Sequence, residues 1–336
     1  MTIYDLAEQL GVAPSTISRA LAGSTRVSQE TRDRIVKAAA AANYSVNTSA
    51  RHLRQGRTNT VEVVFPLAAS KQQRMTDPFY LDMLAVVADA LSERNYDFLF
   101  VDRLPWDDHV RTRHHRVDGM IVIGQGSDQE ALREFTRTYK KVVVWGARVP
   151  GDEHVTVGTD NVLGGKMAAA HLLGLGRRKI AFIGDPIEPE MEQRRQGFML
   201  AHEEAGRPVD PKLLFRSPFD SHRAKIATRS FVASGREFDA VVCGSDVIAL
   251  HMIDALTSAG RRVPEDIAVV GYDDISLASA FGQSLTTVSQ QIPVGGRLMV
   301  DLLFSVLEGG EVQPAVIPPE LQVRKSCGAQ LGRFQK

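Results

Sequence analysis

At Val61 the sequence changes period, and that change constrains the fold more than any other feature. Beyond it, short apolar runs alternate with amphipathic stretches: VEVVFP, YDFLFV, DGMIVIG and KKVVVWG, then KIAFIGD, DAVVCGS and DIAVVGY. Helical patterns fall near residues 79–94, 106–114 and 129–139, and again near 161–173, 191–205, 222–234 and 247–259. Strands alternating with helices predict parallel sheets covered on both faces. Two such series in a row predict an α/β chain with two similar doubly wound subdomains, each of roughly four to six strands. Ligands of such sheets bind outside the carboxyl ends of the strands. Residues 77–80, 145–148, 244–246, 272–274 and those from 185 onward therefore carry the most functional weight.

Ahead of Val61 the period is helical. Ile3, Leu6, Ala7 and Leu10 share one face of a first helix, a tight turn falls at Gly11, and Ile17, Ala20 and Leu21 share a face of a second. The opposite face of that second helix carries Ser15, Thr16, Ser18 and Arg19. Short hydroxyls with an arginine suit close approach to phosphates and base edges in a major groove; a generic helical hairpin is the plainer alternative. A third helix is expected over residues 28–42, capped by Ser28 and packed through Ile35, Val36, Ala39 and Ala40. The segment NTSARHLRQGRTNT that follows is too polar and short to stand as a helix alone. Its composition favours a flexible basic linker, yet its spacing suits a segment that folds only against DNA, with arginines on phosphates and Leu53 entering the minor groove.

Charge favours the DNA reading of the head. The whole chain is neutral, with 40 basic and 40 acidic residues. Up to Thr60, however, Arg19, Arg26, Arg32, Arg34, Lys37, Arg51, Arg54 and Arg57 face only Asp5, Glu8, Glu30 and Asp33. A basic module thus precedes an acidic body, the asymmetry expected when one part meets a polyanion and the other does not. With 336 residues and 43% hydrophobic content the body can bury two cores. No apolar run approaches the ~18 residues of a membrane span. The chain starts directly in an amphipathic helix, so a soluble cytoplasmic protein is expected. Its two cysteines, Cys243 and Cys327, lie too far apart to suggest a disulfide framework or a metal knuckle.

Catalytic patterns are missing: there is no G-x-G-x-x-G after the first strand, no P-loop, no G-x-S-x-G elbow and no H-E-x-x-H. His109, His114 and His115 sit in an arginine-rich stretch that reads as a solvated face rather than a metal site. Asp273 and Asp274, adjacent on a turn, are expected to split, one capping a helix and one entering a cleft. No enzyme activity, cofactor or metal is expected.

These motifs resemble, in order and over nearly the whole chain, the LacI/GalR family of bacterial transcription regulators. The head supplies TIYDLAEQLGV, STISRALAG and RVSQETRDRIVKAA, and the hinge NTSARHLRQGRT. The body supplies DPFY, VDGMIV, TDNVLGG, AAAHLLGLGRRKIAFIG, VPEDIAVVGYDDI and LTTVSQ. The resemblance implies a helix-turn-helix head (residues 1–46), a hinge helix and linker (47–60), a two-lobed core related to periplasmic sugar-binding proteins (61–328) and a short tail (329–336). In it the N-lobe takes 61–158 and 291–317, the C-lobe 159–290 and 318–328. It further implies a homodimer on pseudo-palindromic double-stranded DNA, controlled by a small effector, most simply a carbohydrate. The end GAQLGRFQK is too short for the leucine-heptad tail of family tetramers.

Carried over residue by residue, the resemblance assigns DNA contacts to Tyr4, Pro14, Ser15, Thr16, Ser18, Arg19, Asn47, Ala50, Leu53 and Arg54, with Leu53 as the wedge at the central operator step. Ala13 stands where the family usually has a serine cap, a loss partly offset by Pro14 at the first helical position. Effector contacts are assigned to Phe79, Asp160, Arg194, Phe219, Ser245 and Asp273. The loop over residues 67–76 is longer than the usual connection at the mouth of the cleft. A sugar-binding or sugar-processing protein on the same fold, and a corepressor-dependent regulator, are the competing expectations.

Overall fold

The computed structural model describes residues 2–21, 23–42, 44, 57–66, 77–101, 117–126, 128–280 and 284–329. The chain divides into two compact units, Met1–Thr58 and Asn59–Lys336.

In the first unit, α1 (Ile3–Leu10), α2 (Pro14–Leu21) and α3 (Gln29–Ala41) enclose a small core. A reciprocal capping box opens α1: Thr2 Oγ1 accepts from Asp5 N–H at 3.3 Å, and Asp5 Oδ2 accepts from Thr2 N–H at 2.7 Å. Gly11 then turns the chain at φ 62°, a left-handed conformation that suits glycine. Leu6, Ala7, Ile17, Ala20, Val27, Ile35 and Ala39 fill the interior. The expected packing face of α3 needs correction, because Val36 is 48% exposed and Ala40 is exposed as well. A three-helix unit this small buries one narrow stripe per helix. Ile35 and Ala39, four residues apart, occupy it, and the next row turns outward.

Among its described residues the second unit holds two six-stranded sheets. The first contains β1 (Thr60–Val64), β2 (Asp97–Val101), β3 (Gly119–Ile123), β4 (Val142–Trp145), β5 (Val155–Thr159) and β11 (Ala315–Ile317), in the order β11-β5-β4-β3-β1-β2. The second contains β6 (Ile180–Ile183), β7 (Leu214–Phe215), β8 (Ala240–Cys243), β9 (Ala268–Asp273), β10 (Thr286–Ser289) and β12 (Glu320–Gln322), in the order β12-β10-β9-β8-β6-β7. All pairings are parallel except that of β12 with β10. Strands β3, β4, β6 and β8 are buried along their whole length, as helices on both faces require.

Between the strands run α4 (Pro78–Ser92), α5 (Gln129–Thr138), α6 (Asn161–Gly174), α7 (Pro189–Glu204), α8 (Ser221–Ala233), α9 (Asp246–Ser258), α10 (Ser276–Ala280) and α11 (Ile292–Leu307). The helix expected near residues 106–114 and the histidines there lie outside the described residues, as does the 67–76 loop. The backbone passes from one sheet to the other at Asp160, at Gln290–Gln291 and at Pro318–Pro319. Cys243 is fully buried in the core of the second sheet. No helix among the described residues is long and apolar enough to cross a membrane.

Candidate functional site

The two lobes leave between them a cleft of about 370 Å³, walled by strand ends and helix N-termini of both. On the first lobe Asp77 caps α4, its Oδ1 accepting from Phe79 N–H at 3.1 Å. That cap and Pro78 start the helix so that Phe79 and Tyr80 line the cleft beside Trp145, the last residue of β4. The rings of Phe79 and Trp145 lie 6.4 Å apart. The second lobe contributes Arg194, Phe219, Asp220, Ser245 and Asp273.

Arg194 is 3% exposed and heavily committed. Its Nε donates to Asn161 Oδ1 at 2.8 Å, and its Nη1 donates to Gly244 O at 2.6 Å and Asp273 Oδ1 at 3.3 Å. The guanidinium lies 3.8 Å over the Tyr272 ring. Its Nη2 edge has no partner among the described residues and belongs to a side chain lining the cleft.

Glycines make this placement possible. A Cβ on Gly165 would stand 2.0 Å from Arg194 O, and one on Gly197 would stand 1.9 Å from Val162 O. Helices α6 and α7 thus cross in near backbone contact, which fixes Arg194 along α7. Gly164 does the same toward Tyr272, whose hydroxyl a Cβ would meet at 2.2 Å. The GG of TDNVLGG is therefore part of the cleft's construction.

Asp273 joins the cleft to the lobe crossings. It is 5% exposed and sits at φ 120°, followed by Asp274 at φ 57°. Gln290 Nε2 donates to Asp273 Oδ1 at 2.6 Å, and Thr159 Oγ1 donates to Gln290 Oε1 at 3.1 Å. Thr159 and Gln290 stand at two of the crossings, so these bonds connect Asp273 to both. Burial pushes the Asp273 carboxyl up to about 6, against the opposing pull of Arg194 and Gln290. Asp77 rises to about 7, through burial first and then the neighbouring charge of Asp273. Three further bonds join the lobes: Ser276 N–H and Oγ donate to Asp82 at 2.8 and 3.0 Å, and Gln193 Nε2 donates to Arg148 O at 3.1 Å.

Of the six residues assigned from sequence, Phe79, Arg194, Phe219, Ser245 and Asp273 line the cleft. Asp160 does not: its Oδ1 caps α6 by accepting from Leu163 N–H at 2.8 Å, and it borders a separate depression. The residue after β5 opens a helix at the crossing, so its carboxylate is taken up by the helix end rather than the ligand space. Ser245 lines the cleft while also capping α9, accepting from Ile248 N–H at 3.3 Å. Asp274 caps no helix; it pairs with Arg324 at 2.6 Å. The turn splits the two aspartates, but the second goes to Arg324, two residues past β12.

Sequence reasoning missed Asp220, Arg223 and Gln290. The first two follow β7, which at two residues gives no strand signal. Gln290 acts through a partner 131 positions away.

The first unit presents a different kind of surface. Tyr4, Ser15, Ser18 and Arg19 are exposed, and Pro14 and Thr16 half-buried, on the outward side of α1 and α2. Ile17 and Ala20 hold that pair of helices by their inner faces. Arg19 has no ion pair or side-chain hydrogen bond among the described residues. Without a side-chain cap, α2 starts on Ala13 O, which accepts from Thr16 N–H at 2.8 Å and Ile17 N–H at 3.3 Å. Asn47, Ala50, Leu53 and Arg54 lie outside the described residues.

Known proteins match both units. Residues 2–47 match the family model of bacterial regulatory proteins of the lacI family, and residues 169–327 match a periplasmic binding protein-like domain. The HTH-type transcriptional regulator CelR of Thermobifida fusca is 32% identical over 335 residues, covering 97% of this chain and 98% of that protein. The solved complex of CelR with cellobiose is 30% identical, covers 97% of this chain and 99% of its own, and superposes with a TM-score of 0.69. A lac repressor dimer bound to operator and an anti-inducer, 24% identical over 97% of this chain and 99% of its own, shares the fold with a TM-score of 0.82.

Proposed function

This chain belongs to the LacI family of DNA-binding bacterial transcription regulators, and from that premise we propose that it is a dimeric repressor released from its operator by a small polyhydroxylated effector. The observation that carries the reading is the cleft itself. Aromatic faces from both lobes suit the apolar face of a sugar ring, while Arg194 and Asp273 offer a donor and an acceptor to its hydroxyls. The CelR–cellobiose complex supports a carbohydrate.

DNA contact falls to the head, residues 1–46, with Ser15, Thr16, Ser18 and Arg19 in the major groove and Tyr4 on phosphate. Residues 47–60 follow as hinge, with Asn47, Ala50 and Arg54 beside the Leu53 wedge. The core spans 61–328 and the tail 329–336. Control runs from the ligand through Asp273, Gln290 and Thr159 to the crossings, so that lobe closure changes the dimer contact and then the hinge. Exposed apolar side chains on the core support a dimer. Leu81 and Leu277 flank the Asp82–Ser276 bond, and Phe98 and Leu99 stand on the edge strand β2.

Selection of bound duplexes from random DNA by the full-length protein tests the reading. The expected product is a palindrome with a central pyrimidine–purine step. Binding that fades with salt and enriches no sequence, with or without sugars, contradicts it.

A further inference from the structure

Among the described residues that line the cleft, carboxyl groups outnumber guanidinium groups. Six carboxylates line it, from Asp77, Asp185, Glu188, Glu190, Asp220 and Asp273, against the guanidinium groups of Arg194, Arg216 and Arg223. Two of those cations are already spoken for: Arg216 pairs with Asp185 at 2.8 Å, and Arg194 with Asp273, Gly244 and Asn161. What remains among the described residues is a wall of four carboxyl groups, those of Asp77, Glu188, Glu190 and Asp220, against Arg223.

Asp220 is 3% exposed, lines the cleft, and uses Oδ1 to cap α8 by accepting from Arg223 N–H at 2.7 Å. Its Oδ2 has no partner among the described residues. Asp77 is arranged alike, with Oδ1 on Phe79 N–H. Glu188 stands at the start of α7 but makes no capping bond.

Two features say what this wall is for. Among the described residues no three acidic, histidine or cysteine side chains come close enough to hold a metal ion. The carboxylates are therefore spread around a space rather than focused on a point. That space is of organic-ligand size and walled by Phe79, Trp145 and Phe219. A neutral polyol satisfies hydrogen bonds here but leaves the buried carboxyl groups without a counter-charge, whereas an ammonium group on the same ring answers both.

We infer that the ligand this cleft selects is an amino sugar, a carbohydrate of one or two rings carrying a free amine that meets Asp77, Asp220 and Glu188 while its hydroxyls meet Arg194 and Asp273. The inference rests on the cleft being the effector site. Burial raises both Asp77 and Glu188 to about 7, with Asp273 adding to the first and Glu190 and Asp185 to the second. Near neutral pH the empty wall thus keeps protons that a cationic ligand, by favouring the charged carboxylates, displaces.

Titration calorimetry on the full-length protein tests it with the β-1,4-linked glucosamine disaccharide, its N-acetylated form and cellobiose, at about pH 7.4, where carboxyls at about 7 and an amine at about 8 are both largely charged. The expected result is binding of the free amine at least about tenfold tighter than either neutral sugar. Glu188→Gln and Asp77→Asn, the latter keeping its capping oxygen, are expected to erase the preference by weakening the free amine at least about tenfold more than cellobiose. Cellobiose binding as tightly as the amine, or a preference that survives in both variants, overturns the amino-sugar assignment and leaves the cleft as a sugar site. If glucosamine, glucose and ribose also fail to bind alongside all three disaccharides, the effector-site reading falls with it.

Discussion

The head and the cleft both present polar side chains, yet they prepare them in opposite ways. On the head, Tyr4, Ser15, Ser18 and Arg19 stand in water, carried by helices whose other faces make the core. In the cleft, Arg194 and Asp273 are buried, hydrogen-bonded to one another and linked to residues at the crossings. The difference follows from the task. A polyanion surface is met by exposed charge that releases counterions, and little rigidity is needed before contact. A small effector must change the shape of its receptor, so the groups it touches must already be part of the frame.

Three changes break or sharpen that contrast. The largest effect is expected from Gly165→Ala, which drives a Cβ toward Arg194 O. Overpacking of rigid backbone costs about 3 kcal/mol, read as a fall in the core's thermal transition. The same variant is expected to leave the helix-turn-helix unit folded by amide-exchange protection; coincident loss in both units removes the separation.

Leu53→Ala comes next. If the wedge opens the central step, operator affinity falls about 30-fold while affinity for random duplex changes about threefold or less. Equal losses on both DNAs, measured by fluorescence anisotropy, remove the wedge.

The smallest effect concerns pH. The Asp77 carboxyl is held at about 7 in the fold, above its ordinary 3.8, chiefly by burial. Between those values the folded protein keeps a proton that the unfolded chain has lost, so Asp77 makes stability fall as pH rises from about 4 to 7. Asp77→Asn, which keeps the cap, is expected to flatten that fall. An unchanged pH slope of denaturant midpoints means that Asp77 is ionised in the fold throughout.

Much of this was legible in the sequence, for local reasons. Runs such as GMIVI and VVVW announce buried parallel strands, and IYDLAEQLG announces a capped helix and its stop. Arg194 and Asp273 were found because the motifs around them resemble a family, not because their spacing reveals chemistry. What stayed hidden depends on distance. Gln290 earns its role only through Thr159 and Asp273, and Asp220 follows a strand of two residues. Asp160 misled because a carboxylate after a strand can cap a helix or meet a ligand, and sequence does not separate the two. Val36 and Ala40 misled because helical period gives a face but not its width.

The coupling of cleft to DNA is the central claim, and one comparison tests it most directly. Operator affinity is measured by fluorescence anisotropy for the wild-type chain and for Arg194→Ala, each titrated with cellobiose and the glucosamine disaccharide. The account predicts that sugar weakens wild-type operator binding by about tenfold or more, while Arg194→Ala binds the operator with unchanged affinity and ignores both sugars. A variant that still responds, or that loses the operator before any sugar is added, contradicts it.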